Sequence, residues 1–250
     1  MLKNHKAVGA TVLALGLSWS NAGLALNYDG HMIVGVEAGQ AARSGKFNGS
    51  YQAGTGLGIA PRTPLGSHVE KISDQGIRYG LLGGYEWHYP TWLVGVEGNI
   101  STSDHFSGAA HYNFKDSAGQ NLNFDSAARY YRGTLYGISS RLGLKIPPFF
   151  TPYARLGAEV SRDRMQRNHK VSGAETFNDY FAARKTRARW LVGVGVEVPF
   201  FAKHSSLRAE YNYIGATKFH FHDQHGSLHA KHDYRPRTHL GKITWVWHFH

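Results

Sequence analysis

Residues 238–249 read T-H-L-G-K-I-T-W-V-W-H-F, and the fold is decided here. From Gly241 on, the odd positions Ile243, Trp245, Trp247 and Phe249 are apolar or aromatic. The even positions Lys242, Thr244, Val246 and His248 are mostly polar or small. Successive side chains of a strand point to opposite faces, so the two sets separate onto two surfaces. Three bulky aromatics together on one face suit a strand that faces lipid and ends in an aromatic girdle at the membrane boundary.

Seven further stretches alternate in the same way, at about 31–41, 75–87, 91–101, 132–146, 152–162, 187–198 and 206–216. Each reaches the nine residues that a tilted membrane-spanning strand requires. Met32, Val34, Val36 and Ala38 share one face of the first. The second carries Ile77, Tyr79, Leu81 and Tyr85 in step, and the sixth Trp190, Val192, Val194, Val196 and Val198. The connections alternate in length. Short turns are expected at 88–90, 147–150 and 199–205, and long loops at 42–74, 102–131, 163–186 and 217–237. Short turns on one side and long loops on the other predict an all-β fold, an eight-stranded antiparallel up-and-down transmembrane β-barrel. A soluble lipocalin-like barrel, with its apolar residues inside, is the alternative.

A weak repeat, Val34-Gly35-Val36-Glu37, Val94-Gly95-Val96-Glu97, Leu156-Gly157-Ala158-Glu159 and Val194-Gly195-Val196-Glu197, places Gly and Glu on the inner face. Arg78, Arg141, Arg155, Arg189, Arg208 and Lys242 share that face with Glu37, Glu86, Glu97, Glu159, Glu197 and Glu210. Eight strands leave a lumen just wide enough for side chains to fill. Such groups are tolerable there only when paired, so a plugged, salt-bridged interior is expected. A charge-lined pore with narrow conductance is the alternative.

The composition fits. The 250 residues suffice for one barrel domain, and 30 glycines with 13% aromatics suit strands and girdles better than helices. The mean hydropathy is −0.39, and no apolar run after the N-terminus is long enough for a spanning helix. There is no cysteine, so a complete sheet must hold an exported chain together. The formal charge of +11 favours anionic partners. At the N-terminus, Lys3 and Lys6 precede the apolar run A-V-G-A-T-V-L-A-L-G-L, with Gly23 and Ala25 at cleavage-type positions. Residues 1–25 are expected to be a cleaved signal peptide, and residues 26–250 the barrel domain.

The export signal, the eight alternating strands, the short turns and long loops, the φ-G-φ-E repeats and the W-V-W-H-F ending together resemble the OmpA-like eight-stranded outer-membrane proteins. They are similar in style to the small porin-family surface antigens of Gram-negative bacteria. The terminal strand of such barrels usually ends in Phe; here Phe249 is followed by His250. The resemblance implies an integral outer-membrane location, contact with outer-membrane lipids and lipopolysaccharide, and a role in envelope integrity, surface contact or narrow conductance. It carries over no catalytic residues. No peptidoglycan-binding domain is expected after the barrel, and a monomer is.

The fourth long connection, K-F-H-F-H-D-Q-H-G-S-L-H-A-K-H-D-Y-R-P-R-T-H, holds His220, His222, His225, His229, His232 and His239. The first five are candidate ligands for haem or a divalent metal, near Asp223, although their spacing matches no closed metal motif. The plain alternative is a solvated polar loop. Arg162, Arg164, Arg167 and Lys170 of the third connection, with Lys218, Lys231, Arg235 and Arg237, predict a basic outer surface for lipopolysaccharide phosphates or anionic host or surface ligands. Without a reading helix or stacking platform, nucleic acid is not an expected partner. Some eight-stranded barrels modify lipid A, and His204-Ser205-Ser206 with Glu210 is a His/Ser/acid set. Its place at a periplasmic turn, with Glu210 facing inward, opposes that use. The chain is therefore not expected to be an enzyme.

Overall fold

The computed structural model describes residues 29–53, 64–102, 105–115, 121–147, 149–172, 177–200, 202–216, 218–225 and 228–249. The expected signal peptide lies outside the described residues. Among the described residues there are ten strands: β1 (Asp29–Ala53), β2 (Pro64–His88), β3 (Trp92–Ser101), β4 (His105–Lys115) and β5 (Asn121–Leu144), then β6 (Thr151–Ser172), β7 (Phe177–Phe200), β8 (Ala202–Ile214), β9 (Phe219–His225) and β10 (Leu228–Phe249). They pair in the order β1-β2-β3-β5-β6-β7-β8-β10, and β10 returns to β1, so the sheet closes on eight antiparallel positions. β4 pairs with β5 and β9 with β10, carrying the β3 and β8 positions onward. Closure leaves no sheet edge around the ring, which is the requirement for strands in lipid.

Alternation sorts the side chains as the hydropathy pattern predicts. Val34, Val36, Leu81, Val96, Ile138, Leu156, Val192, Val194 and Ile243 are exposed on the outer face. Aromatic residues flank them. Trp92, Phe149, Phe150, Trp245 and Phe249 lie toward the short-turn end, and Tyr79, Tyr136 and Trp190 toward the other. Trp245 stacks on Trp247 at 4.6 Å between ring centroids, and Tyr89 on Trp92 at 3.8 Å. Among the described residues, the inner face is buried and mostly polar, with two small apolar clusters. One is Ile33, Leu82 and Val246; the other is Ala41, Leu191, Ile214 and Leu240.

The strand lengths correct the sequence reading. The connections expected as loops at 42–74, 102–131, 163–186 and 217–237 are largely strand: β1 has 25 residues and β7 has 24. At about 3.3 Å per residue, β1 is roughly 80 Å long, whereas about 9–11 tilted residues cross the hydrocarbon. Apolar alternation on the outer face stops at the membrane edge, but ladder hydrogen bonding needs no apolar exterior. Pairing therefore runs on through Lys46↔Arg235 and Asn168↔Tyr180. The expected turn at 199–205 is also tighter, because β7 reaches Phe200 and β8 begins at Ala202, with a register shift between Pro199 and Phe200.

A second register shift lies between Arg132 and Leu135, where β5 meets β6. An extra residue there turns the alternation over. Below the shift the odd residues Leu135, Ser139 and Arg141 face inward; above it Arg132 and Tyr130 do. Arg132, on the outer face by unbroken alternation, is thus brought into the lumen.

Candidate functional site

The lumen holds three levels of charge. At the long-hairpin level, Arg78 donates to Glu159 at 2.9 Å and to Ser101 at 2.9 Å, and Arg132 lies 3.6 Å from Glu159. Arg189 pairs with Asp163, which also accepts from Tyr130 at 2.5 Å and Ser161 at 2.7 Å. At the middle level, Lys242 bridges Glu37 at 2.6 Å and Glu210 at 3.1 Å. Arg155 reaches Glu210 at 2.8 Å and Glu97 at 3.4 Å, and Tyr153 donates to Glu210 at 2.7 Å. At the short-turn level, Arg208 contacts Glu86 and Glu97 at 2.6 Å each and Glu197 at 3.1 Å. Arg141 pairs with Glu86, with Glu197 at 2.6 Å and with Glu97 at 3.5 Å.

Most of these pairs cross the lumen rather than one ladder. Glu197↔Arg208 and Lys242↔Glu210 are register neighbours, but Arg208 on β8 reaches Glu86 on β2 and Glu97 on β3. Such crossing needs room, and inward glycines supply it. A Cβ on Gly195 would sit 2.6 Å from Cζ of Tyr153, whose ring also carries Arg141 at 4.6 Å. Gly195 is therefore where the phenol passes. The inner-face residues read from sequence come together here, and the network also takes in Arg132, Asp163, Tyr130 and Tyr153. Gly133, beside the register shift, is the local sequence signal for the inward turn of Arg132.

Toward the short turns the network ends at a mouth of about 380 Å³, lined by His31, His88, Lys145, Phe150, Ser206 and His248 among others. Glu86 Oε2 lies 3.2 Å from His88 Nε2 and 3.8 Å from His248 Nδ1. In the sequence His88 falls in an expected short turn and His248 on the mostly polar or small face of the closing strand. The two are far apart in the chain and meet only on barrel closure.

The His-rich segment is a hairpin of β9 against β10. His220 is exposed and pairs with Asp233, beside Lys218 at 3.5 Å from the same carboxylate. Burial of Asp233 would raise its pKa, but His220 and Lys218 outweigh this and hold the carboxyl below its ordinary value. The side chains of His222, His225 and His232 lie outside the described residues; His229 is half-buried. Among the described residues, the grouping with metal-ligand spacing is Glu86, His88 and His248, not one in this hairpin. The His204-Ser205-Ser206 set does not assemble with Glu210. His204 is exposed, Ser206 pairs with His248 at 2.9 Å, and Glu210 is held by Tyr153, Arg155 and Lys242.

Comparison with known proteins places this geometry. A family model for the outer membrane protein beta-barrel domain matches residues 30–238. No curated protein matches the chain significantly. Among solved structures, it is similar to the outer membrane protease OmpT of Escherichia coli, at 8% identity and a TM-score of 0.45, over 92% of this chain and 100% of that one. It is also similar to Ail, the attachment invasion locus protein of Yersinia pestis, at 13% identity and a TM-score of 0.28, over 84% and 97% of the chains. Neisserial surface protein A matches at 13% identity and a TM-score of 0.30, over 82% and 95%. The family match spans most of the described barrel, and the chain belongs to the outer membrane protein beta-barrel domain family of Gram-negative bacteria.

Proposed function

We propose that the protein is a non-conducting structural barrel of the outer membrane that carries a long, basic strand extension into the extracellular space. The observation behind this is the short-turn level of the lumen. The side chains of Arg141 and Arg208 have no exposed surface and are clasped by Glu86, Glu97 and Glu197 across the full width of the barrel. An ion would have to break several charge-assisted hydrogen bonds to pass. Planar-bilayer recording tests this. The intact protein should give no reproducible steps, and Arg141→Ala with Arg208→Ala should open a small conductance. Regular single-channel steps from the unaltered protein would replace this reading with a narrow porin.

A second reading concerns the outer surface. Lys46, Arg162, Arg184, Lys185, Arg235 and Arg237 are exposed on the strands just beyond the apolar belt. With short turns periplasmic, this band lies at the height of the outer-leaflet headgroups. Lipopolysaccharide phosphates are its natural counterpart through charge-assisted hydrogen bonds. Replacing Arg162, Arg184 and Arg237 by Glu should reduce lipopolysaccharide retention through purification; unchanged retention would refute it. Delivery by a signal peptide removed near residue 25 completes the reading, and N-terminal sequencing of the membrane protein tests it.

A further inference from the structure

We propose that the periplasmic mouth is a binding site for one divalent transition-metal ion of the zinc and copper class, held by Glu86, His88 and His248.

The ligand atoms are already close to a coordination shell. Oε2 of Glu86 lies 3.2 Å from Nε2 of His88 and 3.8 Å from Nδ1 of His248, and one ligand atom from each of the three residues lies within 4.8 Å of the others. In a tetrahedral zinc site with bonds of about 2.0–2.1 Å, ligand atoms stand about 3.4 Å apart. Small side-chain rotations would close this set around an ion. Two imidazoles and one carboxylate favour zinc or copper over calcium or magnesium, which prefer oxygen shells.

The surroundings hold the ligands in the orientation that a metal needs. The other oxygen of Glu86, Oε1, accepts from Arg141 and from Arg208 at 2.6 Å, so the carboxylate is pinned with Oε2 toward His88 and His248. With Nδ1 of His248 on the metal, its Nε2 carries the proton. That nitrogen faces Ser206 Oγ at 2.9 Å and Glu197 Oε1 at 3.4 Å. This is the carboxylate–histidine–metal relay that fixes tautomer and raises ligand basicity. His31 packs edge-on against His88 at 4.7 Å between centroids and is itself held by Asp29 at 3.3 Å, so the His88 ring is backed by a second imidazole. The mouth that His88 and His248 line has room for a water as fourth ligand. Three protein ligands and an open position make an exchangeable site rather than a closed structural one.

The test uses the full barrel without a histidine tag, refolded in detergent and titrated with zinc chloride by calorimetry. Cobalt replaces zinc in a parallel titration that reads d–d absorption. Because the β9–β10 hairpin is itself rich in histidine, a reference variant carries His220, His222, His225, His229 and His232 all replaced by Ala. The reference should keep one stoichiometric site. Adding His88→Ala with His248→Ala should weaken that site at least 100-fold, while Ser206→Ala should weaken it about 10-fold and leave cobalt tetrahedral. Each variant is checked for the heat-modifiable gel shift of a closed barrel. Should the double His variant fail that check, zinc-edge absorption of the loaded reference decides between outcomes. Two imidazoles with carboxylate and water support the site. Shells without histidine, stoichiometric binding that survives loss of His88 and His248, or no saturable binding by the reference would each overturn it.

Discussion

Replacing Arg208 by Met tests whether the lumen is held by paired charge in a dry interior. Met keeps much of the apolar stem and removes the guanidinium, whose N–H groups reach Glu86 and Glu97 at 2.6 Å and Glu197 at 3.1 Å. Arg141 would remain as the shared partner of all three carboxylates, with Arg155 at 3.4 Å from Glu97. Breaking a buried pair from one side leaves uncompensated charge and costs about 3–5 kcal/mol. That corresponds to roughly two to three and a half decades in the folding equilibrium. Urea unfolding from phospholipid vesicles, followed by tryptophan fluorescence and by gel mobility, measures the loss. Adding Glu97→Gln removes one stranded carboxylate and should restore about 1–3 kcal/mol relative to additivity. A loss below about 1 kcal/mol, the range of solvent-exposed pairs, would mean that water screens the lumen and would refute the sealed interior.

Two further outcomes probe the exterior. Val194 is 61% exposed on β7 within the apolar belt, so Val194→Lys should cost about 2–4 kcal/mol in the same unfolding assay; a change under about 0.5 kcal/mol would mean that this face does not meet lipid. The depressed carboxyl of Asp233 contributes stability to the β9–β10 hairpin that is present above its unfolded pKa of about 4 and lost as pH falls through the lower folded value. Amide exchange in residues 219–234 should therefore speed up between pH 5 and pH 2 at matched intrinsic rates, and Asp233→Asn should abolish that dependence; an unchanged profile in the variant would remove the Asp233–His220 contact as its cause.

The barrel itself was legible because lipid imposes a strict period of two. Val192, Val194, Ile243 and Trp245 announce their face without knowledge of any neighbour. The inner set was legible by parity alone, since each inward residue is simply the one skipped. Parity cannot say which carboxylate meets which guanidinium. Arg155 faces Arg141 in the ladder, yet it reaches Glu210 on β8, because pairing partners are chosen across a closed lumen. Strand ends were illegible for the opposite reason. Beyond the apolar belt the outer face no longer needs hydrophobic residues, so β1 continues to Ala53 with nothing in its hydropathy to mark it. Local density marks the histidines of the β9–β10 hairpin in the sequence, but it cannot show a grouping made only when the barrel closes. Five lie in that hairpin, whereas His88 and His248 are far apart in the chain and meet only on closure.

Glu86 joins the Arg141–Arg208 cluster to the histidines of the mouth. One oxygen is committed to Arg141 and Arg208, and the other faces His88 and His248. Arg208→Met should therefore loosen the carboxylate and weaken any metal held on Oε2, even though Arg208 is no ligand. The reverse dependence is weak: loss of both imidazoles leaves the Oε1 contacts in place, so the lumen should stay closed to ions. On the proposed reading, the Arg141–Arg208 cluster orients a ligand carboxylate, which couples binding to barrel stability in one direction. Bilayer conductance and zinc titration on the same two variants would expose that asymmetry. Equal damage to both properties in both variants would mean that the mouth and the plug are a single cooperative unit instead.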